Sequence, residues 1–201
     1  MPSPLSPIAE LLDAARAAFE PLGIRWYLFG AQAAILYGAA RLTADVDITL
    51  DAGGHSIEEV LAALEARRFG PRGANVVAFA TETRVLPLVH EPTRIPVDFV
   101  LAGPGPEEQF LARARVCLVD GVPVPVAAAD DLVVMKVLAG RPQDLEDVAA
   151  IVAAQGGRID LGRAAATLRI LEQALDRRDL TPRLEQARQV AARERPRCSP
   201  D

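Results

Sequence analysis

The sequence predicts an α/β (α+β) protein with a mixed sheet, followed by a helical module. Apolar, strand-like runs alternate with helical patterns between residues 24 and 126, whereas apolar residues recur at helical spacing from Asp130 onward. A Gly-Pro-Gly-Pro breaker at residues 103–106 separates the last helix and strand from the runs before them. We therefore expect an α/β core with a leading helix over residues 1–127, a helical module over 128–195 and a disordered tail over 196–201.

The elements of the core follow from spacing and from start signals. The leading helix, residues 7–20, carries apolar side chains on one side, and the helix at 56–68 begins with Ser56 as a cap and two glutamates in its first turn. A further helix spans residues 31–37, and a short one follows the breaker. The predicted strands span residues 24–29, 45–50, 76–79, 84–90, 95–101 and 122–126.

Two helices open the C-terminal module. Asp131 is the expected start of the first, which has Lys136 at its middle and Gly140 at its end. Arg141 and Pro142 then begin a second helix, with the proline in its first turn.

Composition limits the classes of protein to consider. The chain has 201 residues, of which half are hydrophobic, and a formal net charge of −5, so the surface as a whole does not favour nucleic acid. No run approaches the roughly 20 apolar residues of a membrane span, and the start lacks the pattern of a signal peptide. Two distant cysteines, Cys117 and Cys198, give no disulfide framework. These features predict a cytoplasmic protein without a membrane partner.

Three aspartates are candidate metal ligands. Asp45 and Asp47 flank Val46 at a strand, so both carboxylates point to one side, and Asp98 lies in another strand-like run between Val97 and Phe99. If the two strands are neighbours, three acids converge as a two-metal phosphoryl-transfer site requires, and oxygen ligands favour Mg²⁺ or Mn²⁺. The alternative is that such aspartates cap turns at strand ends.

A glycine between a strand and a helix is a candidate phosphate contact. Gly30 closes the run Trp26-Tyr27-Leu28-Phe29, and an alanine-rich helix follows from Ala31. This order exposes backbone N–H groups to an anion, and the missing side chain lets a phosphate approach. A plain strand-to-helix turn would have the same sequence.

Together these motifs resemble a known family. Phe29-Gly30-Ala31-Gln32-Ala33-Ala34, Arg41-Leu42-Thr43-Ala44-Asp45-Val46-Asp47 and Val97-Asp98-Phe99 resemble the nucleotidyltransferase superfamily with the DNA polymerase β fold. The segment from Asp130 to Asp147, with its Asp-Asp-Leu, lysine, arginine and aspartate positions, is similar to the AbiEii-like group of toxin nucleotidyltransferases. Many members carry serine at the position of Ala31, so this chain lacks that hydroxyl.

The resemblance implies an activity and roles for residues. The family transfers a nucleoside monophosphate from an NTP to a hydroxyl with Mg²⁺ and release of pyrophosphate. Asp45, Asp47 and Asp98 would be the catalytic, metal-binding residues, with Asp98 also accepting the proton of the attacking hydroxyl. The residues expected to bind or orient the nucleotide are Gly30, Ala31, Arg41, Thr43, Lys136, Arg141 and Asp144.

The composition of the chain also supports a nucleotide-binding role for Lys136. It is the only lysine among 22 basic residues, and it falls on the lysine position of the family. A compact ammonium suits a triphosphate better than a planar guanidinium does. Asp144 and Asp147 share a helical face, on which they could hold Arg141, Lys136 or a nucleoside. For Asp147 a solvated acidic face is the simpler interpretation.

Several alternatives stay open from sequence. The acceptor is a tRNA end, a protein or a small molecule such as an antibiotic, and an antitoxin protein is a candidate partner. A catalytically weak nucleotide-binding module that acts through a partner is a second hypothesis, favoured by Ala31. Three retained acids argue against it, because buried charges are costly unless they are paired.

Overall fold

The computed structural model describes the backbone of residues 5–194 and the side chains of residues 5–193. The chain divides into two compact units. One contains the chain up to Gln32 together with Thr43–Ala127, and the other contains Ala33–Leu42 together with the chain from Ala128 onward. The tail predicted at 196–201 lies outside the described residues.

The first unit is built on a seven-stranded mixed sheet. The strands are β1 (Arg25–Phe29), β2 (Val46–Asp51), β3 (Phe69–Pro71), β4 (Val85–His90), β5 (Ile95–Leu101), β6 (Arg115–Val119) and β7 (Val122–Val126). Their order is β3-β4-β5-β2-β1-β7-β6. Strand β2 pairs with β5 in parallel and with β1 in antiparallel fashion. The predicted fold class, an α/β core with a mixed sheet, is confirmed.

Helices accompany this sheet. They are α1 (Pro7–Phe19), α2 (Gly30–Leu36), α3 (Ile57–Glu65), α4 (Val76–Thr83) and α5 (Pro106–Arg113), and α2 continues into the second unit. Ser6 caps α1 by accepting a hydrogen bond from the backbone N–H of Ala9 at 3.3 Å. The cap predicted at Ser56 is confirmed as a complete capping box with Glu59.

One predicted strand is wrong. Residues 76–79 belong to helix α4, which begins after Asn75 in the left-handed region (φ 58°) and ends at Arg84 (φ 62°). Its buried residues, Val76 and Ala80, are four apart, which is a helical period. The β-branched pair at the helix start favours a strand locally, but packing of one helical face overrides that preference. Strands β3 and β6 were not predicted.

The second unit contains α6 (Ala129–Ala139), α7 (Pro142–Gln155), α8 (Leu161–Ala174) and α9 (Leu180–Glu194). The predicted start of α6 at Asp131 is wrong, because the helix begins at Ala129 without a side-chain cap. Its predicted end at Gly140, which adopts φ 66°, is confirmed, as is the start of α7 after Arg141. Among the described residues, no helix is long and apolar enough to cross a membrane.

Candidate active site

Two of the predicted acids lie side by side in the sheet. In the parallel pair of β2 and β5, Asp47 is the register partner of Asp98, and Val46 is the partner of Val97. Both valines are fully buried, whereas both aspartates are half-buried. Neighbouring strands lie about 4.8 Å apart, and partners in register share a face. The two carboxylates therefore project from one face of the sheet.

Arg72 binds one of these acids. Its guanidinium forms an ion pair with Asp98, and its backbone N–H donates to the carbonyl of Pro87 at 3.0 Å. Pro87 is the register partner of Asp98 on β4, so the backbone bond holds Arg72 next to that acid. Sequence reasoning missed Arg72, because its position depends on the pairing of β3 with β4. The sequence of the Gly-Pro-Arg-Gly turn does not by itself indicate that its arginine lies near an acid of the site.

Asp45 lies one residue before β2 and is exposed. It accepts a hydrogen bond from the Thr43 hydroxyl, so Thr43 contacts the acid, which is one of the two roles considered for it. Within residues 5–193, no group of three or more His, Cys, Asp or Glu side chains is arranged to hold a metal ion. The donor set is all oxygen and suits Mg²⁺ or Mn²⁺, and the register of Asp47 and Asp98 fits such an ion. The Thr43 hydroxyl contacts Oδ1 of Asp45, so the other oxygen of this carboxylate is the one that could serve as a third ligand.

Gly30 makes room for the Asp47 carboxylate. It adopts φ +68°, and a Cβ at this position would lie 2.7 Å from Cγ of Asp47 and overlap its carboxylate oxygen. A residue with a side chain would displace the acid. Ala31 is 8 % exposed. The phosphate contact expected from Gly30 and Ala31 stays a prediction.

Five predicted residues of the second unit form an ion-pair cluster, called the buried ion-pair cluster because Lys136, Asp144 and Asp147 are buried. Its other members are Arg41 and Arg141. The Lys136 ammonium lies 2.6 Å from Asp147 and 3.4 Å from Asp144. Arg41 lies 2.8 Å from Asp147, and Arg141 lies 2.6 Å from Asp144. Asp147 is 5 % exposed, so the interpretation of a solvated acidic face is wrong. The cluster brings together four predicted nucleotide-binding residues.

Asp144 is charged within this cluster. Burial acts most strongly and would raise the pKa of its carboxyl, but the hydrogen bonds from Arg141 and Lys136 and the charges of both side chains together outweigh burial. The net result is a pKa below the ordinary value. Because Lys136 is 4 % exposed, its ammonium is committed to the two carboxylates in this conformation.

A cavity of about 370 Å³ adjoins the cluster within the second unit. Its lining consists of Ala39, Ala40, Arg41, Leu42, Gln143, Glu146, Asp147 and Ala150. Alanines and Leu42 form the apolar part of the lining, and its polar side chains offer both hydrogen-bond donors and acceptors. Sequence reasoning did not identify Gln143 or Glu146 as site residues.

Comparison with known proteins shows to which family this chain belongs. A family model for the nucleotidyl transferase AbiEii toxin of type IV toxin–antitoxin systems matches residues 11–197. The chain belongs to this family. As an AbiEii family member it is a nucleotidyltransferase, and the resemblance drawn from the sequence motifs is confirmed. No curated protein sequence matches the chain.

Solved structures show that this AbiEii family member shares its fold with other nucleotidyltransferases. The solution structure of the antibiotic-resistance factor ANT(2'')-Ia superposes with a TM-score of 0.57 at 16 % identity, over 84 % of this chain and 95 % of that one. An antigenic nucleotidyltransferase-like protein from Paracoccidioides brasiliensis gives 0.51 at 18 % identity, over 91 % and 95 % respectively. At these identities the likeness establishes the fold alone.

Proposed function

We propose that this AbiEii family member transfers a nucleoside monophosphate from an NTP to a hydroxyl acceptor, with Mg²⁺ or Mn²⁺ bound by Asp45, Asp47 and Asp98. The observation that carries the proposal is the register of Asp47 with Asp98, which sets two carboxylates on one face of neighbouring strands. The space that Gly30 leaves for Asp47 supports it further. A bound divalent cation would stabilise the charge that develops on the phosphate oxygens.

Asp98 has a second role in this proposal. The acceptor hydroxyl attacks the α-phosphorus of the NTP, the bond from that phosphorus to the bridging oxygen breaks, and pyrophosphate leaves. The proton of the hydroxyl passes to Asp98 as general base. Arg72, which neutralises Asp98 in this structure, has to give up that contact or share it.

Lys136 and Arg141 are candidates for contacts to the triphosphate. The buried ion-pair cluster has three cations and two carboxylates, and the Arg141 side chain is 76 % exposed. The Lys136 ammonium donates to Asp144 and Asp147 and is 4 % exposed, so a phosphate contact requires it to become accessible, and a role in holding the cluster together competes with the phosphate role.

The acceptor is an RNA end, a protein or a small molecule. The family to which the chain belongs favours a toxin whose antitoxin is encoded with it. A weak nucleotide-binding module is the second candidate, because the described acids form no three-ligand group as they stand and Ala31 replaces a serine.

Calorimetric titration with each NTP tests nucleotide binding, which both the transferase and the weak nucleotide-binding module require. We expect binding that requires Mg²⁺ or Mn²⁺ and is lost in the double variant Asp45→Asn/Asp47→Asn. Equal NTP affinity in wild type and double variant, both with EDTA and with Mg²⁺, would refute the assignment of the metal ligands. Metal-dependent binding without transfer to total RNA, protein or antibiotic acceptors would favour the weak module instead.

A further inference from the structure

Strand β6 is an edge of the sheet with exposed apolar side chains. It is the last strand in the order, and Val116 and Leu118 on it are 70 % and 72 % exposed. The opposite edge, β3, has three residues and ends in Pro71, which are features that protect an edge from pairing. Strand β6 has five residues and contains neither proline nor lysine. Arg115 at its start is its one charged residue, so the part of the edge from Val116 to Val119 lacks these protecting features.

Within residues 5–194, the backbone groups that this edge leaves unpaired belong to the same two residues. A two-residue turn, Asp120-Gly121, with positive φ at both positions, joins β6 to β7, so the pair that flanks the turn exchanges hydrogen bonds. Hydrogen-bonded pairs alternate along an antiparallel ladder. Val116 and Leu118 fall on the other positions, opposite Pro125 and Pro123, which have no N–H to donate. The N–H and C=O groups of Val116 and Leu118 consequently point away from β7.

We propose that β6 pairs in antiparallel fashion with β6 of a second copy of this chain, about a two-fold axis at Cys117. Of the registers that the outward groups allow, this one pairs both residues within β6, because it places Val116 opposite Leu118 of the second copy and Leu118 opposite its Val116. Cys117 then lies opposite its own counterpart at a position without hydrogen bonds. Arg115 lies within one residue of Asp120 of the second copy, so opposite charges meet at both ends of the pairing.

The contact size sets the strength of this dimer. Five residues of a strand edge bury less than the roughly 1,200–2,000 Å² of a stable interface. The pairing therefore gives a reversible dimer. Its mass approaches twice the 21.5 kDa of the chain at high concentration and falls toward one chain on dilution.

Sedimentation equilibrium of the full chain over a hundredfold range of concentration tests the pairing. Leu118→Lys places a charge on the exposed edge, where it does not disturb the core, and should shift the midpoint of association at least tenfold toward monomer. Ile170→Lys is the matched control, because Ile170 is 66 % exposed on a helix, and it should leave the midpoint unchanged. A wild-type chain that stays monomeric throughout, or a dimer that Leu118→Lys does not weaken, overturns the proposal.

Thiol cross-linking tests the register. Cys198→Ser leaves Cys117 as the single thiol, and copper-phenanthroline oxidation of this variant should give a disulfide-linked dimer on a non-reducing gel. Adding Leu118→Lys should abolish the band at the same concentration. A dimer in solution that gives no Cys117 cross-link refutes the proposed register.

Discussion

Replacing Gly30 by alanine would show whether the space beside Asp47 matters for function. Gly30 and Gly23 adopt nearly the same left-handed backbone, with φ of +68° and +64°. An alanine at either position costs about 1–2 kcal/mol of backbone strain. For a chain of this length that cost lowers Tm by about 2–8 °C. The two positions differ in their surroundings, because nothing lies within 4 Å of a Cβ at Gly23, whereas a Cβ at Gly30 lies 2.7 Å from Cγ of Asp47.

Only Gly30→Ala should therefore affect catalysis. The methyl group displaces the Asp47 carboxylate, and a displacement of about 1 Å in a catalytic group can cost on the order of 10²-fold in rate. We would measure Tm and the initial rate of nucleotidyl transfer for wild type, Gly30→Ala and Gly23→Ala at a temperature where all three are folded. Equal transfer rates in the two variants would refute the claim that Gly30 positions Asp47.

Three further predictions concern the acids and Lys136. Lys136→Met leaves buried carboxylates without their shared cation and should cost about 3–5 kcal/mol in urea unfolding, whereas Arg188→Met, which breaks an exposed ion pair with Glu185 at 3.1 Å, should cost at most about 1 kcal/mol; similar costs would contradict the burial argument. Asp98→Asn should slow transfer about 10²–10⁴-fold with little change in Tm, and an unfolded variant would show that Asp98 is structural. Because the pKa of Asp144 is lowered by folding, its stabilising effect is present above the unfolded pKa of about 3.9 and is lost as pH falls through the lower folded pKa. The urea midpoint of wild type should accordingly fall more steeply than that of Asp144→Asn below about pH 4, and parallel pH curves would argue against this linkage.

The central part of the site could be predicted from the sequence because strand alternation is local. The Asp-Val-Asp step and the Val-Asp-Phe step each fix which side chains share a face, whereas the pairing of the two strands entered only as a condition that the structure meets. The register of Asp47 with Asp98 agrees with both inferences. Arg72 could not be found in this way, since its contact with Asp98 depends on a three-residue strand and its pairing with β4.

The surroundings of Lys136 were harder to predict for a different reason. Buried residues occur on all sides of α6 and include Asp130, Asp131 and Lys136, so the helix has no apolar stripe that would orient it. Spacing in α7 correctly put Asp144 and Asp147 on one face, but it could not show that this face is buried. Burial followed from packing of α7 against α6 and from the ion pairs that compensate the charges.

Transfer of label from α-³²P NTPs tests the proposed activity most directly. Purified wild type would be incubated with each NTP, Mg²⁺ or Mn²⁺, and total RNA, and in parallel with protein and antibiotic acceptors. Asp47→Asn removes a proposed metal ligand, and Asp51→Asn changes an acid on the same strand that pairs instead with Arg25 at 2.5 Å. We expect label in one acceptor class with wild type and Asp51→Asn, and none with Asp47→Asn. Equal labelling by Asp47→Asn and wild type, or no labelling under any condition, would contradict the proposed activity.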